Sequence, residues 1–380
     1  IKDGRHDAKN PIFNWRKVVA QESVRHERWN ANRNVLVWKF LTGVEYNDPE
    51  KFPYSAVIDR KLGVKDAMAL LRLHEDYIGQ DQELYHSKSE GICRTTSHDS
   101  IVYNLTADPT LTEAWKTLGR PCQSVFVPLY PLAGPAKGTA FTDPATATKE
   151  HFAGTPAMFD YRADFTPHSV FSASNNAIDY LRGDELAKRT QLIQAEEDKF
   201  MKDRAAVTKK AAGLKGEERT KFLHDYNQKS YDHVLKIMQA ENARLMPNKV
   251  KILADVVKAD GDGTVDFALL GAKGHEVLSA NMEATRAGMS ANQLNSTRQW
   301  KNFAPAEKMV YKDVNNDGIT DVVFTFKAKD VTKGAVAGAA MDLWLYTQIN
   351  GHRVTGFDVV PVENDKVKMH KGARDGKGLL

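Results

Sequence analysis

The chain has 380 residues, of which 42% are apolar and 27% are charged, as expected of a folded protein with two or three domains. The formal net charge is only +4 and the basic residues are spread along the chain, which argues against nucleic-acid binding. There is no run of about eighteen uncharged apolar residues, so no transmembrane span is predicted. Two cysteines are too few for a disulfide framework, although Cys93 and Cys122 could form one bridge.

One helix and two strands are predicted in the first part of the chain. Residues 64–77 repeat apolar and aromatic side chains at intervals of three and four, which predicts an amphipathic helix. Residues 100–105 alternate apolar and polar side chains, and residues 124–129 form a short apolar run, so both are predicted strands. Residues 134–168 are rich in proline, glycine, alanine and threonine, which predicts a long surface excursion.

A helical hairpin is predicted next, over residues 184–212 and 217–246. Apolar side chains recur along both segments and predict an antiparallel pair that packs along a seam. The seam residues are Leu186, Ile193, Phe200 and Val207 in the first helix, and Phe222, Tyr226, Val234 and Ile237 in the second. The many charges of the hairpin are interpreted as its solvated outer face.

After Pro247 the sequence changes to short β runs separated by turns. The predicted strands are residues 250–254, 265–270, 322–326, 341–349 and 354–360. This spacing predicts an all-β sandwich module. The predicted domains are residues 1–246, which include the hairpin at 184–246, then the module at 247–363 and a tail at 364–380.

The loop at residues 313–321 has the ligand spacing of a calcium site. Asp313, Asn315 and Asp317 would supply side-chain oxygens, Ile319 its carbonyl oxygen, and Asp321 a carboxylate that binds directly or through water. The alternative is a solvated turn, rich in Asp and Asn, that binds nothing. Calcium is therefore the predicted cofactor, in a structural role.

The context of this loop differs from that of a helix-loop-helix calcium site. Gly318 occupies the sixth position, where a sharp turn is required, but the twelfth position holds Phe324 instead of a bidentate glutamate. Since Phe324 lies in a predicted strand, the loop is expected to precede a strand.

A weaker match to the same spacing lies upstream. Asp260, Asp262 and Asp266 occupy the third, fifth and ninth positions, whereas Lys258 occupies the first and cannot bind calcium. The alternative interpretation is an Asp-Gly hairpin turn before a strand.

The sequence begins at Ile1, with neither a signal peptide nor an initiator methionine, so we expect a fragment or a processed product. Calcium loops with few charged ligands suit compartments where calcium is plentiful. A secreted protein in a periplasmic or extracellular setting is therefore expected.

Several short segments in the first 245 residues occur in a distinctive order. They are Asn47-Asp48-Pro49, residues 62–72 with His74 and Tyr77, residues 92–100, residues 115–121, residues 124–130 and residues 226–231. Together they resemble the second half of the secreted dipeptidase A family, which comprises N-terminal-nucleophile (Ntn) cysteine hydrolases related to penicillin V acylase and bile-salt hydrolase.

This resemblance implies an α+β fold, namely half of a four-layer αββα sandwich followed by the β module. In the family an N-terminal cysteine attacks the carbonyl of a small peptide or amide, with its own α-amino group as the base. Ile1 has no nucleophilic group, so we expect the nucleophile to lie outside this chain, and the partner that the resemblance implies is a separate Cys-bearing N-terminal chain of the same precursor. The alternative is an inactive structural or binding subunit of an extracellular assembly.

Arg94 is the candidate catalytic residue within this chain. A buried arginine can hold a substrate carboxylate or a developing oxyanion, and the alternative is a structural ion pair. Cys93 and His98 are interpreted as core and surface residues and not as a catalytic pair. Residues 248–362 resemble a small β domain appended to secreted bacterial proteins, which implies a stabilising or attachment role with calcium as a staple.

Overall fold

The computed structural model describes residues 28–44, 55, 57–74, 91–93, 97, 99–136, 167–181, 183–258, 263–289, 303–333 and 340–363. The chain divides into two compact units, Ile1–Thr95 and Thr96–Leu380. Helices and mainly antiparallel sheets occur together, so the class is α+β, as predicted. Within the described residues, no helix combines the length and apolar character that crossing a bilayer requires.

The first unit contains the helices α1 (Arg28–Thr42) and α2 (Val64–Leu71). The α2 helix begins where it does because Gly63 N–H donates a hydrogen bond of 2.8 Å to the Asp66 side chain, which satisfies one N-terminal donor. The helix is shorter than predicted, because Arg72 N–H bonds back to Ala69 and Leu70 and ends it. The remaining predicted positions from residue 75 onward lie outside the described residues.

The second unit opens with a three-stranded antiparallel sheet in the order β1 (Ser100–Asn104), β2 (Glu113–Thr117) and β3 (Val127–Leu129). The first strand was predicted, the third is shorter than predicted, and β2 was not predicted. All but one of the β2 side chains are buried, so β2 lacks the alternation that identifies a half-exposed strand.

Three helices follow: α3 (Pro167–Leu181), α4 (Asp184–Gly213) and α5 (Gly216–Leu245). The last two form the predicted hairpin, and each helix end lies within one residue of its predicted position. Ile193 and Phe200 of the predicted seam are buried, as is Val234. The α3 helix was not predicted.

Two further sheets complete the unit. Their strands are β4 (Val250–Ile252), β5 (Val257–Lys258), β6 (Thr264–Leu269), β7 (Arg286–Met289), β8 (Ala304–Pro305), β9 (Lys308–Lys312), β10 (Asp321–Lys327), β11 (Ala340–Ile349) and β12 (His352–Glu363). The strand orders are β4-β6-β10-β9 and β5-β12-β11-β7-β8, and a short helix, α6 (Ala328–Val331), follows β10. Apolar side chains of both sheets, including Phe267, Phe324 and Leu345, share one buried cluster.

The α3 helix also packs on the second of these sheets. Tyr180 of α3 lies edge-on to Tyr346 of β11 at 4.9 Å, and its hydroxyl donates to the Thr347 carbonyl at 2.7 Å. Trp344 and Leu245 belong to the same buried cluster. The strands after residue 247 therefore share a core with the helices before it, and the domain boundaries given above stay predictions.

Candidate functional site

A buried polar cluster, here called the Arg120 centre, joins the β2–β3 connection to α3. It consists of Arg120, Gln123, Asn175, Asn176 and Asp179. Arg120 is 1% exposed and Gln123 is fully buried, whereas the Asp179 side chain is 20% exposed. Polar groups of this size are buried only when hydrogen bonds offset the loss of water. Their arrangement is therefore specific.

Arg120 organises the centre. One of its terminal nitrogens, Nη2, donates to Asn176 Oδ1 at 2.9 Å, and the other, Nη1, forms an ion pair with Asp179. Gln123 Nε2 donates to the second Asp179 oxygen at 2.7 Å. The Asp179 carboxylate is thus held by the Arg120 guanidinium and the Gln123 amide, while part of its side chain is exposed. Such a fixed acceptor can bind an N–H or ammonium group of a ligand.

Gly119 allows the two halves of the centre to meet. Its φ of +152° is unusual for any residue with a side chain. A Cβ at this position would lie 2.5 Å from Asn175 Nδ2 and 2.7 Å from Ser124 Oγ. Only glycine lets the connection approach α3 this closely.

A second buried arginine, Arg189 of α4, extends the polar interior. Its Nη1 donates to the Gln123 carbonyl at 3.2 Å and to Ser174 Oγ at 2.9 Å. Its Nη2 lies 3.3 Å from a Glu241 oxygen, which satisfies the distance of an ion pair but not the angle of a hydrogen bond. We regard this contact as mainly Coulombic. Burial lowers the Arg189 pKa to about 10, with Glu241 opposing the shift.

The predicted calcium loop joins β9 to β10. Asp313, Asn315 and Asp317 are exposed, and their oxygens accept loop amides: Asp313 Oδ2 accepts Gly318 N–H at 2.8 Å, and Asp317 Oδ1 accepts Ile319 N–H at 2.8 Å. These bonds curl the chain around its own side-chain oxygens. The oxygen set fits a hard cation, although Asn315 Nδ2 donates to Asp317 at 2.8 Å and an ion would have to displace that bond.

Asp321 differs from the other members of the loop because it is fully buried. Its two oxygens accept Gly271 N–H at 2.9 Å and Val314 N–H at 2.8 Å. Asp321 therefore holds the start of the loop, at Val314, beside its end, and joins that end to Gly271 after β6. A metal-binding role for Asp321 stays a prediction.

Only some of the other predicted site residues lie in the described part of the chain. Arg94, Asp260 and Asp262 lie outside the described residues. Asp266 lies in β6 and accepts a hydrogen bond of 2.6 Å from Thr325 Oγ1 of the neighbouring strand. Neither Cys93 nor Cys122 forms a disulfide in the described part of the chain.

The sequence analysis singled out neither Arg120 nor Asp179 as a site residue. A signal existed for Arg120, because Gly119-Arg120-Pro121 lies in a segment that carries the family resemblance. Asp179 gave none, because it lies in a helix that was not predicted. No protein-family model matches the chain, and no curated protein matches it.

Proposed function

We propose that the chain is the nucleophile-lacking part of a secreted Ntn amidohydrolase that cleaves dipeptides or other small amides. The Arg120 centre carries the proposal. Arg120 lies in residues 115–121, one of the segments that resemble the dipeptidase A family, and the centre presents an oriented, partly exposed Asp179 carboxylate. In the proposed enzyme, Asp179 accepts a hydrogen bond from a substrate N–H or ammonium group.

The nucleophilic cysteine is proposed to come from a separate N-terminal chain of the same precursor. One face of the three-stranded sheet supports this proposal. Val102 and Trp115 point to the buried face, where the neighbouring Glu113 pairs with Arg204 of α4. On the opposite face Ile101 and Tyr103 are 40% and 56% exposed. Ala114 and Val127 of the same face are buried, so the exposed part of this face lies at β1. In the proposed αββα sandwich, a further layer contributed by the companion chain would cover Ile101 and Tyr103.

The first experiment is intact mass spectrometry with N-terminal sequencing of the native protein, followed by dipeptide hydrolysis assays. We expect a companion chain that begins with cysteine and hydrolysis that a thiol-alkylating reagent abolishes. Asp179→Asn should lower kcat/KM by about 100-fold through lost substrate positioning. The control Asp225→Asn, at an exposed position of α5, should leave kcat/KM unchanged.

Two outcomes would argue against this function. If no companion chain is present and no dipeptide is cleaved, the structural or binding subunit of an extracellular assembly becomes the better proposal. If hydrolysis occurs but Asp179→Asn and Asp225→Asn behave alike, the reaction takes place away from the Arg120 centre.

Calcium is proposed as a structural ion of the loop at residues 313–321, in keeping with a periplasmic or extracellular location. An ion that binds only the folded state stabilises it by mass action. We expect a chelator to lower the melting temperature of the wild type and added calcium to restore it. Asp317→Ala should abolish this response, whereas Asp255→Ala, at an exposed position outside the loop, should retain it. If chelator left the melting temperature unchanged in the wild type and in both variants, the proposed calcium site would be ruled out.

A further inference from the structure

The two edges of the three-stranded sheet differ in whether their outward backbone groups are blocked from pairing with another strand. Along β3, Phe126 N–H donates to Glu197 of α4 at 2.8 Å, and Pro128 has no N–H to offer. Tyr130 is paired at both backbone groups with Asn227 of α5, whose side chain accepts from its N–H at 2.8 Å and donates to its carbonyl at 3.0 Å. Helix side chains and a proline thus block this edge against another strand.

The same contacts fix which backbone groups of β1 face outward. The backbone N–H and C=O groups of successive residues in an antiparallel strand are directed alternately to its two sides. The backbone groups of residues 126, 128 and 130 are directed away from β2, so those of Val127 and Leu129 are directed toward it. Trp115 of β2 lies opposite Pro128, so its N–H and C=O groups are directed toward β1, where Val102 is its partner. The N–H and C=O groups of Ile101 and Tyr103 then face away from the sheet.

Within the described residues, the outer edge of β1 lacks the features that usually prevent strand pairing. Its sequence, Ser-Ile-Val-Tyr-Asn, contains no charged residue and no proline, and within the described part of the chain β2 is the strand that pairs with it. An antiparallel arrangement with two-fold symmetry about Val102 would place Ile101 opposite Tyr103 of a second copy, and Tyr103 opposite its Ile101. Both pairs would then form two backbone hydrogen bonds, and each would join a β-branched to an aromatic side chain.

We propose that two copies of this chain pair through β1 to form one continuous six-stranded sheet. The blocked β3 edge favours a second copy as the occupant, because with a single open edge the pairing closes at a dimer and cannot extend into a fibre. The dimer uses the backbone edge of β1 and not the face of the sheet, so it does not depend on the amide hydrolysis proposed above.

The test is the mass of the native protein in solution, by light scattering over a range of concentrations. We expect two copies of this 42.5 kDa chain per particle, together with any companion chains. Tyr103→Pro removes one outward N–H from each copy at an edge position where proline is tolerated, and should raise the dissociation constant at least about 10-fold. The control Tyr103→Thr keeps the N–H and the β propensity and should remain mainly dimeric.

Hydrogen exchange gives a second readout. The amides of Ile101 and Tyr103 should become protected as the protein concentration rises, whereas the amide of Val102 should be protected throughout. If Tyr103→Pro fails to fold, Tyr103→Lys places a charge on the same edge and should also weaken the dimer. A monomer at all concentrations, a dimer that both variants leave intact, or another polypeptide paired with β1 would overturn the proposal.

Discussion

Replacing Arg120 with methionine is expected to lower the free energy of unfolding by about 3–5 kcal/mol, because it leaves the Asp179 carboxylate without its buried charge partner. Asn176 Oδ1 loses its hydrogen-bond donor in the same step. Chemical denaturation followed by circular dichroism measures the loss. In the double variant Arg120→Met/Asp179→Leu the unpaired charge is absent as well, so the loss should be smaller than in the single variant.

The matched control for this prediction is Arg244→Met. Arg244 of α5 also pairs with carboxylates, those of Glu185 and Glu241, but its side chain is 40% exposed. Solvent screens such pairs, so the control should cost no more than about 1 kcal/mol. Equal losses at the two arginines, or a double variant less stable than Arg120→Met, would contradict the account of a buried, mutually dependent centre.

Replacing Trp344 with alanine is the second change for which we expect a large effect, a loss of about 3–5 kcal/mol in unfolding free energy. Trp344 is fully buried and stacks on Phe357 with ring centroids 4.8 Å apart. It also belongs to the cluster in which Tyr180 of α3 contacts the sheet. The amides of α3 should therefore lose protection from hydrogen exchange in this variant, although Trp344 lies far away in the sequence.

The control is Tyr311→Ala, which removes a 40% exposed aromatic ring from the edge strand β9 and should cost no more than about 0.5 kcal/mol. If Trp344→Ala lowers the protection of the β strands and leaves that of α3 unchanged, the helix and the sheet fold independently. That result would support the predicted boundary between residues 246 and 247.

The elements that could be predicted are those whose side chains repeat with the period of one secondary structure. The hairpin α4–α5 is long and amphipathic, and β1 and the longer C-terminal strands are bounded by turn residues. Two of the elements missed before the hairpin differ in this respect. Strand β2 lacks the alternation of a half-exposed strand because nearly all its side chains are buried. The α3 helix does repeat apolar residues at helical spacing, from Phe171 to Ile178 and Leu181, but its several Ser and Asn residues favour turns and obscure that period.

The candidate sites divide in the same way. The loop at residues 313–321 was found because every ligand position lies within nine consecutive residues, and local spacing is visible in a sequence. The Arg120 centre was missed because Arg120 and Asp179 are 59 positions apart, and no local pattern indicates that they meet.

By itself, the sequence determined the helical hairpin, five of the nine C-terminal strands in the described residues, and the spacing of the oxygen ligands in the calcium candidate, since each depends on near neighbours in the chain. Only the tertiary structure decided that α3 brings Asp179 to Arg120, that helix side chains block the β3 edge, and that the C-terminal sheet shares a core with the helices. Burial and long-range pairing create these features, and they depend on which distant segments pack together.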